Sequence, residues 1–404
     1  MAPVGSRESL AAALSAGADA IYFGIEGLNM RSRSSSNFNL DDLREIAYQC
    51  NERDVKTYLT VNTVIYDADI DYMRQIITAA KEAGITAIIA SDIAAIAFAR
   101  SIGVEVHIST QVNITNIEAV RFYSRFAEVM VLARELNLEQ VKEIHDAIVR
   151  ENITGPAGNL VRLEMFCHGA LCMAVSGKCY MSLHQMNSSA NRGACNQICR
   201  RAYTVTDKET GDSLDIENQY IMSPKDLKTI DFLDRLIAAG VTVFKIEGRA
   251  RGPEYVYETV SAYSEAIEAI CSGKFEEENV KAWNTRLEKV FNRGFWDGYY
   301  LGRRLGEWSE KYGSSATRTK FYIAKAMRYF PKLGVGEFQM ESGELKTGDE
   351  VIVTGPTTGA LIFKAEELRL EYDPVPSVKK GDRFSMPVPE KIRQSDRLYI
   401  WKEN

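Results

Sequence analysis

The sequence predicts an α/β protein: a TIM-like (β/α) barrel followed by a small C-terminal β-barrel domain. Short apolar runs alternate with amphipathic stretches through about eight strand–helix steps over roughly the first 250 residues, as in parallel α/β barrels. From Phe321 onward, short alternating runs separated by turns indicate β structure. The length of 404 residues leaves room for two or three domains.

We divide the chain into three parts. Residues 1–250 form the predicted catalytic barrel, with a cysteine-rich loop at 164–201, and residues 251–318 form a helical extension. Residues 319–404 form the predicted C-terminal β-barrel domain, which has no catalytic pattern and suits substrate docking. An open doubly wound sheet is the alternative to the barrel. It gains no support from motifs, since the sequence has neither a G-x-G-x-x-G turn after a strand nor a P-loop.

The predicted barrel strands are short apolar runs of the kind that become buried. They comprise Met1–Val4, Ala20–Gly24, Lys56–Asn62, Ala87–Ser91, Glu105–Thr110, Val129–Ala133, Leu160–Phe166 and Val243–Glu247. The predicted helices comprise a segment capped by Ser6 and closed by Gly17, then Leu40–Asn51, Ile70–Ala83, Ile93–Ser101, Ile117–Ser124, Leu138–Val149, Asp226–Ala239, Glu254–Ser272 and Glu276–Asn292. Capping serines and closing glycines mark several of these ends.

Composition limits the classes of function. A net charge of −6 excludes the overall basic field of a simple nucleic-acid coat, but it leaves room for a local basic groove. No apolar run reaches the length of about 20 residues that spans a bilayer, and no signal segment opens the chain. Seven clustered cysteines, an odd number, fit metal-bound thiolates in a reducing cytoplasm better than a secreted disulfide scaffold. We therefore expect a cytoplasmic protein.

Five of the cysteines lie between Glu164 and Arg201, and four of these have spacing typical of metal ligands. The spacing is C-x6-C, then fifteen residues, then C-x3-C. The four are Cys172, Cys179, Cys195 and Cys199. Thiolates are soft ligands that suit zinc or an iron–sulfur cluster, and the wide gaps favour the cluster. Structural zinc, a pair of disulfides and unconnected buried thiols remain as alternatives.

Polar side chains follow nearly every predicted strand. In a (β/α) barrel these strand ends meet on the face that carries the active site. The candidate catalytic residues are His107, His168, Glu247 and Arg249. The candidate substrate-binding residues are Arg31, Arg33, Asn62, Gln111, Asn113, Arg192 and Arg200. Asp92, Ser109, Arg134 and Glu135 also follow strands.

Each candidate also has a structural interpretation. His107 alternates with apolar residues and suits a hydrogen-bonded structural imidazole, whereas His168 could ligate a metal or hydrogen-bond a sulfur. Glu247 and Arg249 could form ordinary ion pairs. Arg31 and Arg33 lie in a serine-rich loop and could be solvated. Arginines gathered at a barrel mouth would nevertheless make a clamp for carboxylate or phosphate groups.

The cysteine-rich stretch resembles peptidase family U32, the collagenase-like protease family. The pattern E-x-F-x-H-G-A-x-C-x6-C-x2-S from Glu164 to Ser182, followed by N-R-G-x-C-x3-C-R from Asn191 to Arg200, carries the resemblance. Other segments match in order along essentially the whole chain. They include Tyr58–Thr63, His107–Asn116, Val131–Leu138, Ser223–Leu227, the KIEGR run that ends at Arg249, and Asn292–Phe295.

What the resemblance implies differs from the family's label. Better-understood members hold a [4Fe–4S] cluster on four cysteines and carry out oxygen-independent hydroxylation, with prephenate as the hydroxyl donor. Their substrates include the wobble uridine of tRNA, a cytidine of 23S rRNA and a ubiquinone precursor. Carried over, the resemblance implies that Cys172, Cys179, Cys195 and Cys199 ligate the cluster. The C-x3-C ending departs from the ubiquinone branch, and the C-terminal domain favours tRNA.

The resemblance thus implies a prephenate-dependent 5-hydroxylase of wobble uridine, with tRNA and prephenate as partners and with a related partner subunit or a homo-oligomer. The alternatives are hydroxylation of 23S rRNA cytidine, a U32-type peptidase, and a non-enzymatic, zinc-stabilised RNA-binding module. The sequence has neither H-E-x-x-H nor G-x-S-x-G, the patterns of two major peptidase classes. Cys167 and His168 could form a cysteine–histidine pair, but they are adjacent in sequence.

Overall fold

The computed structural model describes residues 1–33, 38–215, 222–302 and 306–404. Its first part is an α/β unit with a parallel sheet, and a separate antiparallel β domain follows. Both features were predicted and are confirmed. Among the helices of these described ranges, none combines the length and the apolar character required to cross a bilayer.

Strands and helices alternate through the first part of the chain. The strands are β1 (Ala2–Pro3), β2 (Ala20–Phe23), β3 (Lys56–Val61), β4 (Ala87–Ala90), β5 (Glu105–Ile108), β6 (Val129–Val131) and β7 (Arg162–Gly169). The helices between them are α1 (Arg7–Ser15), α2 (Asp42–Asn51), α3 (Ile70–Ala83), α4 (Ile93–Ser101), α5 (Ile117–Tyr123) and α6 (Leu138–Arg150). Each of these strands is parallel to the next in chain order, as repeated βαβ units require.

Local chemistry sets the helix boundaries. The Ser6 hydroxyl accepts a hydrogen bond from the Ser9 amide at 3.2 Å and so caps the start of α1. Gly84 ends α3 in the left-handed conformation, with φ +77°. Asn137 and Gln140 form a reciprocal capping box at the start of α6, with bonds of 2.9 and 3.0 Å. The predicted limits of α3 and α4 are confirmed residue for residue.

The chain beyond β7 is less regular. It contains α7 (Met181–Met186), β8 (Thr204–Thr206), β9 (Ser213–Asp215), β10 (Asp226–Lys228), α8 (Leu233–Ala238), β11 (Val241–Ile246), α9 (Pro253–Cys271), α10 (Glu277–Lys289) and β12 (Phe295–Trp296). The strand β11 runs parallel to β7. The main-chain amine of Met1 donates to the Phe244 carbonyl at 2.8 Å, and the Ile246 amide donates to the Met1 carbonyl at 3.2 Å. Backbone hydrogen bonds therefore connect the two ends of the parallel series.

The predicted helix Asp226–Ala239 is wrong over its first half. Its opening residues form β10, which pairs with the end of β7 and with β12, and only Leu233–Ala238 is α-helical. Leu227 is buried in that pairing. Sheet hydrogen bonds made at a distance in sequence override a local apolar spacing that suits a helix.

The C-terminal domain is a mostly antiparallel sheet with its own apolar core. Its strands are β13 (Arg318–Phe330), β14 (Val335–Met340), β15 (Glu344–Lys346), β16 (Glu350–Gly355), β17 (Gly359–Lys364), β18 (Leu368–Leu370), β19 (Asp373–Val375), β20 (Ser377–Lys379), β21 (Arg383–Pro387) and β22 (Arg397–Glu403). The hairpin of β16 and β17 packs on α1 and α9, so Ile352 and Ala360 join the core of the first part. Lys320 forms an ion pair with Glu254 of α9 at 2.6 Å.

Gly359 lies where β17 meets α1, and substituting it tests this packing. A Cβ atom there would lie 2.7 Å from the Ala12 nitrogen, at a φ of +72°. We expect Gly359→Ala to lower the free energy of unfolding by about 2–4 kcal/mol, because left-handed strain and overpacking add. Chemical denaturation measures the loss. Gly334→Ala is the control, since φ is +64° there and no heavy atom lies within 4 Å. Equal losses in the two variants would show that contact with α1 is unimportant.

Candidate functional site

The carboxyl ends of the parallel strands surround one cavity of about 210 Å³. Its wall takes residues that follow β2, β3, β5, β6, β7 and β11, among them Arg31, Asn62, Gln111, Arg134 and Glu247. Because parallel strands end at the same edge of a sheet, side chains far apart in sequence meet there. The expectation that the strand ends gather polar residues is therefore met for these positions.

All four clustered cysteines line this cavity. They are Cys172, Cys179, Cys195 and Cys199, and each has a free thiol. Cys172 is exposed and the other three are half-buried. Burial raises the pKa of the Cys199 thiol, and the three other thiols add to that shift. Cys199 therefore lies within electrostatic range of the other three sulfurs.

Short polar contacts fix the loop that carries these thiols. The Asn191 side chain accepts a hydrogen bond from the Cys179 amide at 3.3 Å, and the Ser182 hydroxyl accepts one from the Asn196 amide at 3.0 Å. Gly193, at φ +86°, lies so close to the segment after β2 that a Cβ would come 2.3 Å from the Asn29 carbonyl oxygen. The hydrogen bonds of Asn191 and Ser182 and the close approach of Gly193 therefore hold this loop at the mouth of the cavity.

The four cavity cysteines suit a thiolate-bound metal group, but their sulfurs do not converge on one point in this structure. Across residues 1–33, 38–215, 222–302 and 306–404, no three His, Cys, Asp or Glu side chains are grouped so that they could hold a metal ion. A group bound by all four cysteines would require their sulfurs to move closer together. Metal binding commonly does this, because part of its free energy is spent on ordering the ligands.

Glu247 lies at the centre of a first group of arginines. Its carboxylate accepts from Arg31 at 2.6 Å, and the Tyr22 hydroxyl donates to it at 3.2 Å. Burial alone would raise the pKa of Glu247, but Arg31, Arg134 and Arg249 outweigh burial and lower this pKa to about 2. Burial lowers the pKa of Arg249 to about 10, and its guanidinium donates to Thr60 at 2.9 Å. Glu247 is therefore a fixed negative charge.

A second group consists of Arg200, Arg251 and Arg293, with Asp226 as its acid. Arg293 reaches Asp226 at 3.4 Å, and both side chains are buried. Arg251 stacks on the ring of Phe291, 3.4 Å from its centroid. Burial lowers the pKa of Arg251, and repulsion from Arg293 adds to the shift. Three guanidinium groups thus share one carboxylate.

The cavity wall carries a large excess of positive charge. Of the described residues, the charged ones that line it are Arg31, Arg134, Arg200, Lys245, Glu247, Arg249, Arg251 and Arg293. Buried charge without a counter-charge is unfavourable, so such a wall is suited to bind anions. The arrangement can hold carboxylate or phosphate groups next to four thiols.

A buried ion pair lies beneath the cavity. The Lys245 ammonium donates to Glu164 at 2.7 Å, and the two side chains are only 5% and 0% exposed. The ammonium also lies 4.7 Å from the centroid of the Tyr22 ring. The second carboxylate oxygen of Glu164 has no hydrogen-bond partner. This pair fixes charge at the floor of the site.

Two predicted catalytic histidines lie outside the cavity lining. His107 is buried, with Nε2 at 3.1 Å from Glu105 and its ring 4.5 Å from that of Tyr58. His168 is enclosed by aromatic rings and lies 3.4 Å from the Tyr263 hydroxyl. Burial lowers the pKa of His168 to about 3, so this imidazole is neutral. The placement of His107 agrees with a hydrogen-bonded structural imidazole, and the catalytic roles of both histidines stay predictions.

Three predicted substrate-binding residues are also outside the lining. Arg192 forms an ion pair with Asp69 at 2.7 Å and stacks on Tyr66 at 3.9 Å, which ties the cysteine loop to the segment after β3. Asn113 donates to the Ser176 carbonyl at 3.0 Å and so supports that loop. Arg33 is exposed and lines a second groove, beside the C-terminal domain. Their binding roles stay predictions.

Sequence reasoning missed several residues of the wall. Arg134 was noted after a strand but was not chosen as a site residue. Arg251, two residues beyond Arg249 in the segment between β11 and α9, was not selected, and Arg293 lies between α10 and β12. Arg293 precedes β12, which reaches the site only through β10. Alternation along β7 and β11 was the available signal for Glu164 and Lys245, since residues two apart share a face.

The adjacent Cys167 and His168 do not form a catalytic pair. The Cys167 thiol donates to the Lys245 carbonyl at 3.4 Å. Burial raises the pKa of Cys167 to about 12, so the residue stays a thiol rather than a nucleophilic thiolate. His168 faces Tyr263 instead.

Removing one partner of the Glu164–Lys245 pair should be costly. We expect Lys245→Met to lower the free energy of unfolding by about 3–5 kcal/mol, because Glu164 would then be buried without a counter-charge. The double variant Glu164→Gln, Lys245→Met should recover most of that loss. Urea denaturation of the wild type, the two single variants and the double variant measures the coupling.

The control for this experiment is Lys142→Met, which breaks an exposed pair with Asp146 of nearly the same length, 2.6 Å. We expect a change of at most about 0.5 kcal/mol there. If the double variant were as unstable as Lys245→Met alone, the loss would come from packing and not from the unpaired carboxylate.

Comparison with known proteins places this chain in a family. A model of peptidase family U32 matches residues 5–310. A protein of Porphyromonas gingivalis named collagenase is 66% identical over 99% of this chain and 96% of its own length. A Bacillus subtilis protein named tRNA hydroxylation protein P1 is 30% identical over 88% of this chain and 83% of its own length. An Escherichia coli 23S rRNA 5-hydroxycytidine synthase is 34% identical over 72% of this chain, which spans 43% of that protein.

The family model covers more than half of the chain, and its match contains all four cavity cysteines and all six cavity arginines. The chain therefore belongs to peptidase family U32.

Proposed function

We propose that this protein is an iron–sulfur-dependent, oxygen-independent RNA hydroxylase that acts on the wobble uridine of tRNA, with prephenate as the hydroxyl donor. One observation carries the proposal: four free thiols and six guanidinium groups line the same cavity. Thiolates and buried arginines in one small cavity suit a metal cluster beside an anionic substrate.

Cys172, Cys179, Cys195 and Cys199 would hold the [4Fe–4S] cluster. When bound, such a cluster supplies a redox centre or a site that coordinates substrate. The rest of the wall binds and orients anions: Arg31 and Arg249 lie at Glu247, and Arg200 reaches across to the loop through the Leu171 carbonyl. The Tyr22 hydroxyl shares its one hydrogen between the Ile246 carbonyl at 2.9 Å and the Glu247 carboxylate at 3.2 Å, and so helps to orient Glu247.

The charges of this site support the pairing of cluster and dicarboxylate. The two arginine groups hold six positive charges against Glu247 and Asp226, and Lys245 is offset by Glu164. The excess is therefore four. A [4Fe–4S]²⁺ cluster on four thiolates carries about two negative charges, and prephenate, a dicarboxylate, carries two more. Together they would neutralise the wall.

The relatives named for tRNA and rRNA hydroxylation support RNA as the partner. We prefer tRNA because the Bacillus subtilis tRNA protein aligns with 88% of this chain, against 72% for the rRNA enzyme. Hydroxylation of 23S rRNA cytidine is the nearest alternative. We further infer that the parallel strands close into a TIM-like barrel, which the hydrogen bonds between Met1 and β11 support.

A peptidase is the second candidate, because relatives up to 66% identical carry the name collagenase. The chemistry of the site argues against it. Cys167 is a buried thiol, His168 faces Tyr263, and the cavity wall holds arginines where a peptide would need a positioned base. Peptide hydrolysis would leave the four clustered thiols without a role.

Metal analysis tests the cluster. We expect protein purified without oxygen to contain about four irons and matching acid-labile sulfide per chain, with broad visible absorption. Cys179→Ser and Cys195→Ser should lose most of the iron. Cys271→Ser is the control, since that exposed thiol lies on α9, outside the cavity, and its iron content should equal that of the wild type.

Nucleoside analysis tests the reaction. In cells lacking this protein, the wild-type chain should restore 5-hydroxyuridine at the wobble position of tRNA, and Cys195→Ser should not. Restoration of 5-hydroxycytidine in 23S rRNA instead would move the assignment to the rRNA reaction. Zinc in place of iron, with both RNAs unchanged, would support the binding module. Collagen cleavage by iron-free protein that Cys195→Ser abolishes would support the peptidase.

A further inference from the structure

We infer that Arg200, Arg251 and Arg293 form a carboxylate subsite that takes one carboxylate of a small dicarboxylate. This inference rests on the proposed function, and it assigns a role to two residues, Arg251 and Arg293, that sequence reasoning did not select. It separates these three arginines from the group around Glu247, which has a short ion pair of its own.

Hydrogen bonds to neutral acceptors fix Arg200 in place. One terminal nitrogen donates to the Ser223 hydroxyl at 2.8 Å and to the Pro224 carbonyl at 2.7 Å, and the other donates to the Leu171 carbonyl. No carboxylate of the described chain forms an ion pair with Arg200. Its position is therefore fixed, while its charge is offset only by a share of the Asp226 carboxylate, which is the condition for a preorganised anion site.

The Arg251 guanidinium has one flat face covered by an aromatic ring, while the N–H groups at its edge have no acceptor in the described chain. The Phe291 ring covers the Arg251 guanidinium at 3.4 Å, and Arg293 lies over the same ring at 5.0 Å. Within the described ranges, no side chain or carbonyl accepts a hydrogen bond from the Arg251 guanidinium. A stacked guanidinium still presents its N–H groups at its edge, where a carboxylate binds in two-point fashion.

The group contains too little negative charge of its own. Asp226 is its carboxylate, and the contact with Arg293 is long, at 3.4 Å. Burial lowers the pKa of Arg251, and repulsion from Arg293 lowers it further. Mutual repulsion among three half-buried cations is relieved when an anion binds between them.

The cavity favours a small carboxylate over an RNA phosphate. These three arginines line the same cavity of about 210 Å³ as the four cysteines. A space of that size, below the usual range for drug-sized ligands, admits a small acid more readily than a polynucleotide backbone. Phosphates of a bound RNA would instead meet exposed basic side chains such as Arg33.

Binding of prephenate and of phenylpyruvate, measured by calorimetry on the full chain without RNA, tests the subsite. Phenylpyruvate is a monocarboxylate, so it lacks one of the two anchors. We expect Arg251→Lys to weaken prephenate binding about tenfold or more, because an ammonium keeps the charge but cannot bind in two-point fashion. Of the two carboxylates, phenylpyruvate lacks only the ring carboxylate. Its binding should change much less where the subsite takes the ring carboxylate, and should weaken in parallel where the subsite takes the side-chain carboxylate; either result supports the subsite.

Arg125→Lys is the matched control, because Arg125 also stacks on a phenylalanine, 4.4 Å from the centroid of Phe122, far from the cavity. It should bind prephenate as the wild type does. Thermal unfolding and iron content of Arg251→Lys establish that the fold and the thiol loop are intact. Arg293→Lys provides a second variant, with the same loss expected.

The outcomes separate this inference from the proposed function. Unchanged prephenate binding in Arg251→Lys and Arg293→Lys would overturn the subsite and leave the hydroxylase proposal standing. A wild-type chain that hydroxylates tRNA but binds no prephenate would overturn both the subsite and the donor. Weaker tRNA binding with unchanged prephenate binding would mean that these arginines contact phosphate, which also overturns the inference.

Discussion

The ion pair between Arg31 and Glu247 connects the beginning of the α/β unit to its end. Arg31 follows β2 and Glu247 follows β11, and their contact of 2.6 Å lies in the wall of the cavity. The Tyr22 hydroxyl binds the same carboxylate, so β2 is held against β11 twice. The backbone amide of Arg33, two residues further on, donates a hydrogen bond to the carbonyl of Gly193 in the cysteine loop at 3.3 Å. One charged contact thus positions the segment on which that loop packs.

The excess of positive charge around the cavity is the second constraint on the structure. It arises because several arginines share each carboxylate. Glu247 offsets Arg31, but Arg134 and Arg249 lie within range of the same carboxylate, and Asp226 is shared by Arg200, Arg251 and Arg293. A folded protein tolerates this because several guanidinium groups donate to hydroxyl or carbonyl oxygens. These hydrogen bonds satisfy guanidinium N–H groups but do not neutralise the positive charge, so the site is suited to bind anions. Thiolates would supply part of that negative charge.

Local signals in the sequence were sufficient for the elements whose boundaries are local. Ser6, Gly84 and Asn137 mark helix ends by chemistry that acts within four residues, and α3 and α4 were predicted at their observed limits. The segment from Asp226 was not predictable in this way. Its strand β10 exists because the end of β7 and β12 offer hydrogen-bonding partners from 58 residues before and 69 residues after it in register, as Leu227 pairs with Gly169 and with Trp296.

The same distinction explains the candidate site. The four cysteines were found because their spacing is a chemical signature, and Arg31, Asn62 and Glu247 because they follow strands whose ends must converge. His107 and His168 lie within strands of the same series, β5 and β7. Both nevertheless lie beside buried aromatic rings, outside the cavity. Whether a polar residue on a strand faces the cavity or the packed layers below it depends on depth along the strand, which a single sequence does not encode.

The positive cavity also bears on how the family's two names relate. A peptide bond is neutral, and its hydrolysis develops negative charge on only one oxygen in the transition state. A wall with an excess of four positive charges would therefore stabilise that transition state only through this one oxyanion. Hydroxylation with an anionic donor instead makes use of the positive charge of the cavity wall. The cavity arginines all lie within the segment that the family model matches. Their number is thus easier to explain by anionic substrates than by hydrolysis of a peptide.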